Sequence, residues 1–317
     1  MRKAIMQRIR DEHGAVAVIV ALLMVALLGC VAFSVDVGAM YSERSQLQNA
    51  ADAAALGVAQ ACATGTCGNS VATAQQLANL NSNDGSSNVS VSTPTPTSVQ
   101  VTASTRNAQT GAGTLELTFA PFLGISAKQV AASATASWGS PSSGPAVLAL
   151  AFAPCVFQLN GAIQVIQIQG NASSCSSTSP SGQVMPGNFG WLPDPNGTCS
   201  ANVTAGGTIG ENTGVSIPGG CSTALNNYVG QTVLLPVYSN IVNGAYVIQG
   251  WAAFQLLGFN FPGSSPSSGG TTTYPGGNCN TGSCKGLIGK FVSFVSLDDR
   301  FSTGGPNLGV SVVSLTE

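Results

Sequence analysis

Residues 14–62 read GAVAVIVALLMVALLGCVAFSVDVGAMYSERSQLQNAADAAALGVAQAC, and this stretch decides the architecture. No charged residue occurs from Gly14 to Val35. As a helix, those 22 residues would be ~33 Å long, close to the ~30 Å hydrocarbon core of a bilayer. Arg2, Lys3, Arg8 and Arg10 precede the run, while Asp36 and Glu43 follow it. That asymmetry predicts a single transmembrane helix over 14–35. It also predicts a cytoplasmic N-terminus at 1–13 and extracytoplasmic residues after Asp36. Tyr41 falls where an amphipathic ring suits the outer interface.

Two other readings of the run compete with spanning. A cleaved signal peptide has an apolar core of roughly 7–15 residues, shorter than this one, and Val37-Gly38-Ala39 is only a weak cleavage site. Leu27-Leu28-Gly29-Cys30 resembles a lipobox, in which the cysteine is lipidated. Leu28 is bulky for its position and the apolar run continues past Cys30, so lipidation stands as the alternative to a spanning helix.

The helical signal continues. Asp36 to Cys62 contains no proline and is rich in alanine, a strong helix former. Met40, Leu47, Ala51, Ala54 and Val58 recur at helical intervals and form a narrow stripe, from which Ser45, Asn49 and Asp52 point away. Leu56 breaks the pattern. A continuous helix over 14–62 would be about 70 Å long. Its stalk, 36–63, would offer a small-residue stripe either to the protein's own sheet or to other helices in an assembly.

A long N-terminal helix followed by a β-rich head is the pilin plan. The stretches GAVAVIVALLMVALLG and VDVGAMYSERSQLQNAADAAALGVAQ resemble the N-terminus of TadE/TadG-like Flp (tight-adherence) pilus-assembly proteins, with Leu47-Gln48-Asn49-Ala50-Ala51-Asp52-Ala53-Ala54-Ala55-Leu56 as the most specific motif. The resemblance covers about residues 10–60. It implies a bacterial, single-pass protein of the cytoplasmic membrane. Its implied partners are the lipid bilayer and other Tad components: pilin, TadE/TadF-like proteins and the membrane platform. One departure matters. Prepilins are cut after a glycine and carry Glu at the fifth position beyond it. Counting from Gly14, that position is Ile19. An accessory or minor structural component is therefore implied, and a subunit of the fibre shaft is not.

Beyond the stalk, valines and other apolar residues alternate with polar ones. Val89 and Val91, then Val99 and Val101, then Leu115, Leu117 and Phe119, then Val130, Ala132, Ala134, Ala136 and Trp138 mark four strands. Phe122-Leu123-Gly124-Ile125 matches the family's short turn before its last strand. The expected fold is α+β: a long transmembrane and stalk helix backing a small antiparallel sheet in a pilin-like head at 64–139. Residues 140–145 read as a linker. Residues 146–317 read as a second β-rich, disulfide-stapled domain, with strands expected at Ala146–Phe152, Ile163–Ile168, Val233–Val237, Tyr246–Leu257, Gly286–Leu297 and Val310–Leu315. Phrases such as Leu235-Pro236-Val237-Tyr238 and Gly250-Trp251-Ala252-Ala253-Phe254 resemble C-terminal domains of TadG-related proteins.

Eight cysteines besides Cys30 lie on the expected outer side, where thiols oxidise. Eight allow about a hundred pairings. The favoured set is Cys62–Cys67, Cys155–Cys175, Cys199–Cys221 and Cys279–Cys284. It rests most firmly on the two C-x₄-C units, CATGTC and CNTGSC. A zinc site would more often show C-x₂-C pairs.

No cofactor, metal or catalytic residue is assigned. The sole histidine, His13, sits at the cytoplasmic edge, so an exported Ser-His or Cys-His pair is ruled out. The acids beyond the stalk, Asp84, Glu116, Asp194, Glu211, Asp298, Asp299 and Glu317, show no pattern that singles out a pair. Only 7% of residues are charged, and the exported part has no basic face to displace counterions from nucleic acid. The reading that competes with pilus assembly is an envelope or surface binding protein, such as an adhesin, borrowing the same anchor.

Overall fold

The first helix, α1, runs unbroken from Arg2 to Ala63. It stops where Thr64-Gly65 turns the chain, with the Gly65 N–H bonded to the Cys62 carbonyl and Gly65 in the left-handed region. The computed structural model describes residues 2–168, 177–178, 184–185, 188–212, 217–261, 273–274, 277–280 and 284–316. Large apolar side chains from Val16 to Val35 are exposed on every face of α1, and none of its most apolar stretch is buried in the protein. A helix apolar all round and bare of protein suits a bilayer and not water. Its length and composition are compatible with a single membrane span.

The chain forms two compact units. The first comprises Met1–Val58, Asn69–Ala136 and Leu315–Glu317; the second comprises Ala59–Gly68 and Ser137–Ser314. In the first unit, α2 (Ser70–Leu80) opens on Asn69, whose side chain accepts from the Ala72 N–H. Strands β1 (Ser87–Ser92) and β2 (Ser98–Thr105) pair antiparallel, and β5 (Ala131–Gly139) lies beside β2. A short antiparallel hairpin, β3 (Leu115–Glu116) and β4 (Ala127–Lys128), interrupts this meander. Val99, Val101 and Ala103 of β2 and Ala132, Ala134 and Ala136 of β5 face inward, as do Ala74 and Ala78 of α2. Alanines and valines dominate this interior, which is why an alanine-rich helix can lie close to it.

Leu47, Ala51, Ala54 and Val58 are buried in this fold, joined by Ala50 and Ala55, while Leu56 stays half-exposed. The stripe is thus wider than its spacing suggested, and the chain itself covers it. Met40 belongs elsewhere, as described below. Because Ala51 is fully buried, Ala51→Leu should overpack the interior and cost about 1–3 kcal/mol. The exposed Asn49→Leu should change little. Thermal unfolding of the full chain in detergent would compare them, and equal melting temperatures would refute the internal stripe.

The second unit is built on a long hairpin, Thr232–Val242 with Ala245–Asn260. Its two-residue turn is Asn243-Gly244, both with positive φ, the backbone that matches the twist of the strands. In order across the sheet lie Phe189–Trp191, Leu150–Phe152, the hairpin, Gly286–Val292 and Gln164–Gln167, with Thr208–Gly210 also paired to the second hairpin strand. Phe152 sits in an aromatic core, its ring centroid 5.0 Å from those of Phe254 and Phe291. Among the described residues the protein is α+β, with three α-helices and many strands.

Two local expectations are corrected. Residues 140–145 are not a linker: Pro141–Ala146 is a strand, paired on one side with Ala201–Thr204 and on the other with Ser302–Thr303. Its Ser-, Gly- and Pro-rich composition hid it, but Pro141 stands at the strand's first residue, where a missing N–H is tolerated. The expected strand through Leu115, Leu117 and Phe119 ends at Glu116, because Phe119 instead opens a single helical turn.

Cys62 is bonded to Cys67, Cys199 to Cys221, and Cys279 to Cys284. Cys155 is also disulfide-bonded, and its expected partner, Cys175, lies outside the described residues, as does Glu317. Cys30 is a free, exposed thiol on α1.

Candidate functional site

The polar feature of the first unit that the spacing did not reveal is Asp36, one residue beyond the apolar run. Its side chain is 5% exposed. The segment Thr118-Phe119-Ala120-Pro121-Phe122-Leu123-Gly124-Ile125 forms the tip of the β3–β4 hairpin. Ala120–Leu123 is one turn of 3₁₀ helix, with Pro121 in the first positions and Gly124 closing it at φ 83°. The turn leaves N–H groups free at its start. Asp36 takes them: its carboxylate accepts from Thr118 N at 2.8 Å, Phe119 N at 3.0 Å and Ala120 N at 2.5 Å. A side chain 82 to 84 residues away in the chain thus serves as the turn's N-cap.

Burial of the Asp36 carboxyl pushes its pKa upward, but the three backbone donors outweigh burial and hold it below the ordinary carboxylate range. A lowered pKa means the ionised form is favoured in the folded state. The contribution is present above the ordinary carboxylate pKa and is lost as pH falls through the lowered value. At neutral pH the clasp is closed.

Between α1 and the hairpin lies an apolar groove of about 460 Å³. Gly29, Phe33 and Met40 line one wall, and Leu117, Phe122 and Ile125 line the other. Phe122 is 88% exposed. Above the groove, Tyr41, Arg44 and Lys128 line a second, shallower depression of about 370 Å³. The arrangement can hold an apolar chain beside the helix under a cationic rim. It sets no nucleophile beside a base.

The other predicted positions separate cleanly. Leu47, Ala51, Ala54 and Val58 form interior, and Met40 lines the groove. The cysteines staple loops. Asp194 accepts from the Thr198 and Cys199 N–H groups, and Asp298 pairs with Arg300 at 2.6 Å within one turn. Asp36 was read from the sequence only as a charge marking topology. The clue to its second role is an acid next to the apolar run in a chain that also carries an Ala-Pro-Phe-Leu-Gly turn with no side-chain cap of its own.

Among the described residues, α1 is the apolar helix compatible with one membrane span, and it is carried into an α+β, disulfide-bonded protein. Within it, residues 14–61 match the Tad family model, TadE/G-like Flp pilus-assembly. The match lies wholly within α1 and supports involvement in Flp pilus assembly. No curated protein matches the chain, and no solved structure matches it.

Proposed function

We propose that the protein is a membrane-anchored accessory, or minor, structural component of the Flp pilus-assembly machinery, acting in pilus biogenesis and adherence. The match over residues 14–61 carries this reading. The N-terminus would be cytoplasmic and the residues after Asp36 extracytoplasmic, from the charge asymmetry around 14–35. The partners would be the bilayer and other Tad components, reached through surfaces other than the buried alanine stripe.

The role is non-catalytic. Its support is that three carboxylates beyond the stalk are occupied structurally. Asp194 orders the turn that carries Cys199, and Asp298 is tied to Arg300. Asp84 accepts from the Ser86 N–H in its own turn.

Deletion of the gene, followed by electron microscopy and an adherence assay, tests the proposal. The expected result is loss or strong reduction of surface pili, restored by the full chain and not by a version lacking residues 14–35. Normal piliation with lost adherence would instead select the envelope-binding reading.

A further inference from the structure

The groove beside Asp36 has one wall inside the apolar run. Gly29 lies seven residues before Asp36, about 10 Å further along the helix. If 14–35 spans the bilayer, the groove descends into the leaflet distal to the N-terminus. The hairpin tip reaches the same depth with Phe-Ala-Pro-Phe-Leu-Gly-Ile, a sequence free of polar side chains. Phe122 and Ile125 expose 88% and 52% of their surfaces. In water, such a tip would be a liability.

Its backbone is equipped for a medium without water. Irregular chain enters lipid only when its polar groups are satisfied internally. The N–H groups of Leu117, Phe122, Gly124 and Ile125 are bonded within the hairpin, those of Thr118, Phe119 and Ala120 are bonded to Asp36, and Pro121 has none. Higher up, Tyr41, Arg44 and Lys128 stand at the level of the headgroups, where aromatic and basic side chains are favoured. Glu43, on the same helix, is engaged with Thr105.

We propose that the 115–128 hairpin is a wedge seated in the leaflet distal to the N-terminus. The groove between wedge and α1 takes a phospholipid acyl chain, and the lipid phosphate meets Lys128 and Arg44. This rests on the reading of 14–35 as a membrane span. Continuity of the groove with that span, and the paired N–H groups of the tip, select lipid over a second protein as its occupant.

The test uses the full chain with Cys30→Ser in nanodiscs of phosphatidylethanolamine and phosphatidylglycerol. A nitroxide is placed at Phe122→Cys, with Val25→Cys and Thr97→Cys as references. Power saturation compares access of oxygen, which concentrates in lipid, with that of a water-soluble nickel chelate. The labels at 25 and 122 should both favour oxygen, 122 being the shallower, while 97 favours nickel. A label at 122 that behaves like 97 while 25 remains in lipid would overturn the wedge and leave the anchor standing. Shielding of 122 from both agents would overturn it in favour of a protein occupant. An aqueous label at 25 would remove the span reading and the wedge with it. Arg44→Glu with Lys128→Glu should move the 122 label toward water, and an unchanged depth would remove the phosphate contact.

Discussion

Asp36→Ala should release the hairpin tip from α1 without unfolding the rest of the first unit. The substitution deletes the carboxylate that accepts from the N–H groups of Thr118, Phe119 and Ala120. Those amides should then open to solvent. Hydrogen–deuterium exchange of the full chain in detergent should show uptake over 117–126 accelerated by about tenfold or more, the signature of a local opening. Uptake in β2 and α2 should be unchanged. Asp36→Asn should fall between, since an amide oxygen accepts hydrogen bonds without the charge. Lowering the pH of the unsubstituted protein should produce the same opening, after correction for intrinsic exchange, only below the ordinary carboxylate range. Equal uptake over 117–126 in all three proteins would show that the clasp does not hold the hairpin.

Replacing Cys199 and Cys221 together by serine should cause the larger loss of stability. Their sequence separation is 22, against 5 for Cys279 and Cys284. In the chain-entropy account the longer loop is worth about 3 kcal/mol and the shorter about 2 kcal/mol. The longer bridge also sits in the core of its unit, with both cysteines fully buried, so serine hydroxyls there would add a desolvation cost. The local backbone is fitted to the bridge. Cys199 has a positive φ of 58°, held by the Asp194 carboxylate on its N–H, and Gly220 beside Cys221 packs so tightly that a Cβ would overlap the Gly197 carbonyl oxygen. A fall in melting temperature of roughly 6–12 °C is expected for a unit of this size. The Cys279→Ser/Cys284→Ser pair should lose less. The reverse order would mean that loop length does not govern these staples.

Alternation made β2 and β5 legible, because every second residue there turns to one interior: Val99, Val101 and Ala103, then Ala132, Ala134 and Ala136. The long hairpin of the second unit was legible only in part. The strand from Thr232 was expected to end at Val237 and continues to Val242. Asn243-Gly244 was the available signal for that extension, since the pair marks a two-residue turn between apolar runs. Pro141–Ala146 carried no such signal. Serine, glycine and proline become strand there because partners at Ala201–Thr204 and Ser302–Thr303 supply the hydrogen bonds, not because of intrinsic preference.

By itself the sequence determined α1. Twenty-two uncharged residues followed by proline-free, alanine-rich chain leave a helix as the conformation that satisfies every backbone group in lipid and continues beyond it. It also determined which face of the stalk is small, since helical period is a local property. Only the tertiary structure decided what that face covers, and that Met40 leaves the stripe to line a groove. Only it joined Asp36 to an N-terminus of one helical turn 82 to 84 residues away. Periodicity reports which side of an element is buried. It does not report which distant loop closes over it, because that contact forms only when the intervening chain has folded and brought the two together.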